Sequence, residues 1–456
     1  MKSFDIAIVG GGPGGYVAAI KAGQLGKSVV CIDKGSKLGG TCLNVGCIPS
    51  KALLNITHKY SDIKSVAQYG IQCDNVSFSL EKIMSYKNQT ISDLDLGIKS
   101  LFKKNKVEYI NSTGSFINHN TIVLEDGSQI TASNIIIATG SNPASLPNVS
   151  IDEKQILSST GALCLTTVPK KMVIIGAGVI GLEMGSIWSR LGSEVIIIEY
   201  ANSVLSGSDT DISETVQKIL TKQGMSFIMS AQVIGVDDHS VSYKQDNQNF
   251  SISDIDAVLI AIGRKPNTDK LGLDKIGVKV NNKGQIEVNE HLQTTISNIY
   301  AIGDVIDGPM LAHKASEEGV AVVDYICGNR MHINYNIIPN IIYTSPEIAI
   351  IGKTEKQLID NKMQYKVGKF AFTANSRAKA IGESDGFVKV LVNLQDEIIG
   401  AAIINQVAGE MIHEIAVAME FRASSQDIGM ITHGHPTMSE AIKEAMLSAY
   451  SKPIHS

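Results

Sequence analysis

Two copies of one glycine pattern, each the same distance from an acid, restrict this chain more than any other feature. Gly10, Gly12 and Gly15 form G-x-G-x-x-G between an apolar run at 4–9 and a helix-patterned run from 16 to about 25; a further apolar run, 28–32, ends at Asp33. Gly176, Gly178 and Gly181 repeat the pattern between an apolar run at 172–175 and a helix to about 191, and residues 194–198 then end at Glu199. From first glycine to acid is 23 positions in both copies. In such a strand–turn–helix–strand unit the glycines admit a pyrophosphate, the helix N-terminus faces it, and the acid accepts ribose hydroxyls. Two units imply two parallel sheets and two dinucleotides. Glu199 suits a free ribose 2′-hydroxyl and repels a 2′-phosphate, and 200–211 offers no arginine to hold one, so the second site reads as NAD rather than NADP.

At 456 residues the chain is long enough for about three domains. A net charge of −5 gives no electrostatic case for nucleic acid, and no run approaches the roughly 18 apolar residues of a membrane span. The strand entered directly after Met1-Lys2-Ser3 leaves no room for a targeting peptide. Six cysteines in so long a chain do not make a secreted disulfide framework, so a reducing, cytoplasmic compartment is expected. With no C-x-x-C or H-x-x-x-H, no metal site is expected.

Cys42 and Cys47 lie in the stretch 39–54, a glycine-rich lead-in to a helix-like run. A regular helix holds residues five apart about 8–9 Å from each other, beyond the roughly 4.4–6.8 Å a disulfide needs. A bridge here requires a distorted backbone, which Gly39, Gly40 and Gly46 permit, and would be readily reduced. Two free thiols or half of a metal site are the alternatives. Pro49 suits the first turn of the following helix. Residues 55–106 are helix-patterned, 107–137 alternate as strands with a turn at Asp126-Gly127, and 135–141 is a buried strand entering a glycine turn. Asn142-Pro143 and Leu146-Pro147 mark a domain boundary. A strand–turn at 258–263 follows the second unit, a strand at 298–304 ends on Asp304, and 309–314 opens a helix. The character shifts again from about 337. Near the end, His435 is a candidate proton acceptor with Glu440 to orient it. A helix start with Thr437 and Glu440 as a capping box is the plainer alternative. His313, His413 and His433 read locally as structural or solvent-facing.

These motifs, with 138–143, 261–267, 300–305, 310–319, 343–349, 372–379 and 433–445, resemble the FAD-dependent pyridine nucleotide–disulfide oxidoreductases over nearly the whole chain. Ser50 after Ile48-Pro49 looks like the lipoamide branch; glutathione-type reductases usually carry lysine there, and 450–456 lacks the C-terminal cysteine pair of mercuric and large thioredoxin reductases. Asp33, where many members have glutamate, and Gly434, where alanine is common, depart from the pattern. The resemblance implies an α/β protein with two Rossmann-like domains and an α+β dimerisation domain, divided 1–147 (FAD), 148–267 (NAD), 268–336 (central, completing the FAD site) and 337–456 (interface). It implies a redox-active Cys42–Cys47 disulfide, with His435 and Glu440 completing the partner's site in a homodimer. FAD would lie near Gly10, Gly12, Gly15, Asp33, Lys51, Gly114, Thr139, Gly140, Ser141, Asp304, Met310, Ala312 and His313. NAD would lie near Gly176, Gly178, Gly181, Glu183, Glu199, Val233 and Gly263, and Lys51 would pair with Glu183 beside the flavin. The activity implied is oxidation of dihydrolipoyl groups on the lipoyl domains of 2-oxo acid dehydrogenase acyltransferases or the glycine cleavage carrier protein. A flavin reductase for another disulfide is the alternative.

Overall fold

The computed structural model describes residues 2–147, 149–237 and 239–455. Met1 and Asn148, at which the first and second expected domains open, lie outside them, as does Ser456. The first apolar runs form β1 (Lys2–Val9), α1 (Pro13–Gln24) and β2 (Val29–Asp33). The chain continues through α2 (Gly40–Val45), α3 (Cys47–Ser65), α4 (Leu80–Lys104), β3 (Glu108–Asn111), β4 (Gly114–Asn118), β5 (Thr121–Leu124) and β6 (Gln129–Ile137). Strands β3-β2-β1-β6 are parallel, and β5 and β4 extend the sheet antiparallel, with Asp126-Gly127 turning β5 into β6. Ile6, Ala7, Ile8 and Ile135–Ile137 are wholly buried, as strands covered on both faces require. Helix α1 begins three residues before the apolar periodicity suggests, because Pro13 is compatible with a first helical turn.

The second unit comprises β7 (Ser141–Pro143), β8 (Ile156–Leu157), α5 (Ser159–Ala162), β9 (Lys171–Ile175), α6 (Val179–Arg190), β10 (Glu194–Ile198), α7 (Thr210–Lys222) and β11 (Met225–Ile228). The hairpins β12 (Gln232–Asp237), β13 (Ser240–Gln245) and β14 (Gln248–Ser253) precede β15 (Ala257–Ile260) and β16 (Arg264–Pro266). Its sheet, β11-β10-β9-β15-β8, is wholly parallel. Strands β7 and β16 pair antiparallel, so the chain enters and leaves this unit along one two-stranded ribbon.

Beyond it, β17 (Ile299–Ala301) joins the first sheet beside β6, and α8 (Ala312–Ile326) packs on α1. Residues 271–323 therefore share the first unit's core; Leu271, Ile299 and Val322 are buried in it. The remainder forms β18 (Asn340–Ile342), β19 (Glu347–Gly352), α9 (Glu355–Asp360), β20 (Lys366–Ala371), α10 (Ser376–Ile381), β21 (Phe387–Val392), β22 (Ile398–Asn405), α11 (Ala408–Glu420), α12 (Ser425–Met430) and α13 (Glu440–Tyr450). Its antiparallel sheet runs β18-β19-β22-β21-β20, with α11 and α13 packed against it.

The junction between the second unit and this sheet is sealed by charge. Asp209 and Asp211, at the start of α7, converge with Glu355 of α9, their carboxylate oxygens within 4.8 Å of one another. The Lys389 ammonium lies among them, 2.9 Å from each aspartate and in contact with Glu355. Burial opposes its charge, but the three carboxylates hold its pKa above the ordinary lysine value. Lys389→Met would leave the buried Asp209 carboxylate without its counter-ion, while Asp211 keeps Lys369. It is expected to cost about 3–5 kcal/mol in urea unfolding, the penalty for removing one side of a buried pair; a cost under about 1 kcal/mol would refute this account.

Candidate active site

The two glycine loops have the same internal geometry. Gly10 and Gly176 have φ of +112° and +107°, and a Cβ on either would come within 2.2 Å of Ala138 O or 2.5 Å of Ala261 O. The acids act alike. Asp33 accepts from the N–H of Gly11 (2.6 Å) and Gly35 (2.7 Å), and Glu199 from the N–H of Ala177 and Ala201 (both 2.7 Å). Each carboxylate thus braces its own loop from behind. Gly12 and Gly178 cap α1 and α6 without a side-chain cap bond, leaving helix N–H donors directed outward. A Cβ on Gly12 would meet only Gly40 Cα at 3.9 Å, and one on Gly178 nothing within 4 Å, so protein packing does not fill the space before either helix. An anionic pyrophosphate fits both cradles in space and charge. Val233 follows Ala231, whose N–H bonds Glu199 O at 2.9 Å; Gly263 (φ +121°) has open space where a Cβ would stand, and Gly114 packs against Ile122 beside Ile32.

The cysteine stretch is tied to the first loop. Gly39 N–H donates to Gly11 O (2.9 Å), and a Cβ on Gly40 would lie 2.6 Å from Gly12 Cα. Helix α2 carries Cys42 and ends at Gly46, whose φ −139°, ψ −111° breaks the axis; Cys47 begins α3. This break supplies the distortion that the cysteine spacing demands. Both thiols are free and half-buried. The Cys42 thiol, hydrogen-bonded to Cys47, holds the Cys47 pKa down to about 7 against burial, and the Lys51 ammonium adds to this. Cys42 is pushed up by the same bond and by burial. The reduced protein is therefore expected to hold one thiolate titrating near pH 7, read from thiolate absorbance and absent in Cys47→Ser; a midpoint at the ordinary thiol value, about 8.5, would contradict the pairing.

One turn further along α3, Lys51 Nζ lies 2.9 Å from both carboxylate oxygens of Glu183 on α6. Ser50 Oγ donates to Glu183 Oε2 (2.8 Å), and Tyr343 donates its N–H to Oε1 (3.1 Å) while its ring lies 4.5 Å from the Lys51 ammonium. Helix α3 thus starts beside the first loop and buries Leu53 and Leu54 in the second unit's core. Tyr343 opens one of the stretches that carry the resemblance, but its bond to Glu183 is found only by tertiary contact.

Thr139, Gly140 and Ser141 cross from the first sheet into the ribbon. Thr139 Oγ1 donates to Asn267 O (2.7 Å), and Ser141 Oγ donates to Asp304 Oδ2 (2.5 Å) and accepts from Arg264 Nε (2.7 Å). Burial lowers the Arg264 pKa, opposed by the charges of Asp304 and Cys47. Arg264 is a cation of this site that sequence reasoning passed over. Asp304 sits in a turn fixed by α8: Glu318 Oε2 accepts from Gly303 N–H (2.7 Å), and the buried Lys314–Glu318 pair is closed at 2.8 Å. Met310 and Ala312 flank the start of α8; His313 Nε2 lies 2.8 Å from Pro339 O, and burial lowers its pKa.

His435 Nδ1 and Glu440 Oε1 are 2.9 Å apart, and the His435–Pro436 peptide is cis. Glu440 Oε2 accepts from Thr437 N–H (2.8 Å), but Thr437 Oγ1 donates to Gly434 O (2.8 Å). The expected capping box is therefore only half made, because α13 starts at Glu440 with Ser439 before it. The His435 side chain is 68% exposed, and among the described residues no hydrogen bond or ion pair joins it to Cys42, Cys47 or Lys51. Its described partner within the chain is Glu440.

The chain is similar to known proteins over its length. Residues 4–319 match the family model described as pyridine nucleotide-disulphide oxidoreductase, and 338–446 match that family's dimerisation domain. The chain is 50% identical to dihydrolipoyl dehydrogenase, mitochondrial, of Pisum sativum, covering 99% of this chain and 92% of the relative. It is 50% identical to leghemoglobin reductase of Vigna unguiculata, over 98% and 88%. The HOCl-induced flavoprotein disulfide reductase RclA of Escherichia coli superposes with a TM-score of 0.86 at 26% identity, over 97% of this chain and 99% of that one.

Proposed function

The chain belongs to the pyridine nucleotide-disulphide oxidoreductases, and from that premise we propose that it is a dihydrolipoyl dehydrogenase that takes two electrons from dihydrolipoyl groups and delivers them to NAD. FAD and NAD supply the two-electron redox chemistry when bound. The first loop with Asp33, Thr139–Ser141, Asp304 and the start of α8 would hold FAD; the second loop with Glu199, Val233 and Gly263 would hold NAD. The observation that carries the reading is Cys47 at the start of α3, its thiol held low beside Cys42 and one turn from the Lys51–Glu183 pair.

The protein's own groups then act in order. His435, oriented by Glu440 and supplied by the other subunit of a homodimer, takes a proton from one substrate thiol. The thiolate formed attacks Cys42 of the oxidised pair, and the Cys42–Cys47 bond breaks. The second substrate thiol attacks the mixed disulfide, closing the lipoyl disulfide, and its proton passes to Cys42, which leaves as a thiol. Cys47 keeps the electron pair as a thiolate, stabilised by Lys51 and the Cys42 thiol. The dimerisation-domain match supports the homodimer. Lipoyl domains of 2-oxo acid dehydrogenase acyltransferases, or the glycine cleavage carrier protein, are the proposed partners, and a reducing compartment such as the cytoplasm is the proposed setting. Among the described residues no helix is long and apolar enough to cross a membrane.

The test is a steady-state assay of the purified protein with dihydrolipoamide, comparing NAD⁺ with NADP⁺. Turnover at least about 100-fold better with NAD⁺ is expected, since the proposed role of Glu199 as ribose acceptor would set its carboxylate against a 2′-phosphate. Faster turnover of another disulfide with NADH than of lipoamide would favour the alternative reductase.

A further inference from the structure

One helical turn beyond Glu440, α13 carries a second acid that holds a second histidine. Glu444 Oε2 accepts from the N–H groups of Ile454 (2.7 Å) and His455 (3.3 Å), and Glu444 Oε1 lies 2.7 Å from His455 Nδ1. The segment after α13 turns back along the helix, beginning with Ser451 N–H on Leu447 O (2.8 Å). Residues four apart share a helix face, so Glu440 with His435 and Glu444 with His455 stand side by side. The Glu444 side chain is 7% exposed and that of His455 70%, so the imidazole sits at the water-facing edge of a buried acid.

Charges on the elements packed against α13 have other partners, apart from Lys366, which stands exposed at the start of β20. Lys369 of β20 pairs with Asp211, Lys389 of β21 with the α7 acids, and Asp427 of α12 with Ser424. Lys443 reaches Ile431 O, and His433 pairs with Glu414. His435 and His455 are thus the imidazoles acting on Glu440. Burial works to raise its carboxyl, but the Thr437 N–H, His435 and the His455 charge together hold it below the ordinary value.

We propose that His455 is a positioning residue for proton acceptance: docked on Glu444, it governs how fully Glu440 supports the charged form of His435, and so sets the acid edge of turnover. This rests on the assignment of His435 as proton acceptor. A proton on His455 places a positive charge one turn from Glu440, where it competes with His435 for that carboxylate. Without that charge, Glu440 serves His435 alone. The imidazolium is then favoured, and His435 is available as a base only at higher pH.

The experiment uses the intact FAD-loaded dimer and the pH dependence of kcat/KM for dihydrolipoamide. His455→Asn should move the acid limb up by about half a unit, the size expected of one charge acting through a wet surface, lowering kcat/KM about threefold on that limb. His455→Lys should move the limb down. Reduction of a dye by NADH, which needs no proton acceptor at His435, should be unchanged in both. Superimposable profiles, or a shift in one direction for both substitutions, overturn the proposal while leaving the site reading intact. If His435→Gln retains dihydrolipoamide turnover, the site reading and this proposal fall together.

Discussion

Cys47→Ser should abolish dihydrolipoamide oxidation, by at least about 1,000-fold in kcat, while the protein still folds and retains its flavin. Removal of a covalent participant typically costs at least this much, because the remaining groups cannot substitute for it. The substitution exchanges sulfur for oxygen at the first residue of α3, where the side chain makes no helix-cap bond, so the helix start is kept. What disappears is the partner that receives the electron pair when the Cys42 bond breaks. NADH-driven dye reduction bypasses the cysteines and should persist. Stopped-flow and steady-state assays with dihydrolipoamide, alongside flavin absorbance, separate the two outcomes. Retained lipoamide turnover would remove Cys47 from the pathway.

His435→Gln should lower kcat for dihydrolipoamide by about 10²–10⁴, the usual contribution of a positioned proton acceptor. Glutamine keeps a donor that can reach Glu440, and the exposed side chain carries little packing, so the thermal midpoint should stay within about 2 °C. The loss should be smaller at high pH, where the substrate thiol ionises unaided. A uniform loss across pH, or a large fall in stability, would mark His435 as structural. If His435 acts across the dimer, mixing this variant with Cys47→Ser subunits should restore about a quarter of the sites, since half of the dimers formed at random are mixed and one of the two sites in each is intact.

Much of this was readable before any coordinates, and the reason is physical. The glycine loops announce themselves because Gly10 and Gly176 occupy positions where a Cβ would collide with backbone, so chain geometry demands those residues at that spacing. The break between Cys42 and Cys47 is foreshadowed by Gly46, and the His435–Glu440 contact by the chemistry of an acid near a candidate base. Other features depend on contacts with no local trace. Residues 299–301 return to the first sheet after the whole second unit has intervened, and nothing in Ile-Tyr-Ala names β6 as its neighbour. Lys389 reads as one more polar strand residue until three acids from α7 and α9 meet it. Arg264 and Tyr343 join the cysteine region only through folding. The half-made capping box shows a local rule losing: Thr437 turns its hydroxyl to Gly434, and Glu440 serves the imidazole instead.

The double hydrogen bond of Glu199 has a further consequence for coenzyme redesign. Its two carboxylate oxygens already terminate the N–H groups of Ala177 and Ala201, so the discriminating acid is also a fastener of its own turn. Exchanging it for a small neutral or basic residue to welcome a phosphorylated coenzyme would remove both acceptors along with the repulsion. Glutamine would return one carbonyl oxygen for two donors. An engineer, or a drifting lineage, must therefore rebuild the turn before it can change the coenzyme, which makes this preference hard to alter by single steps.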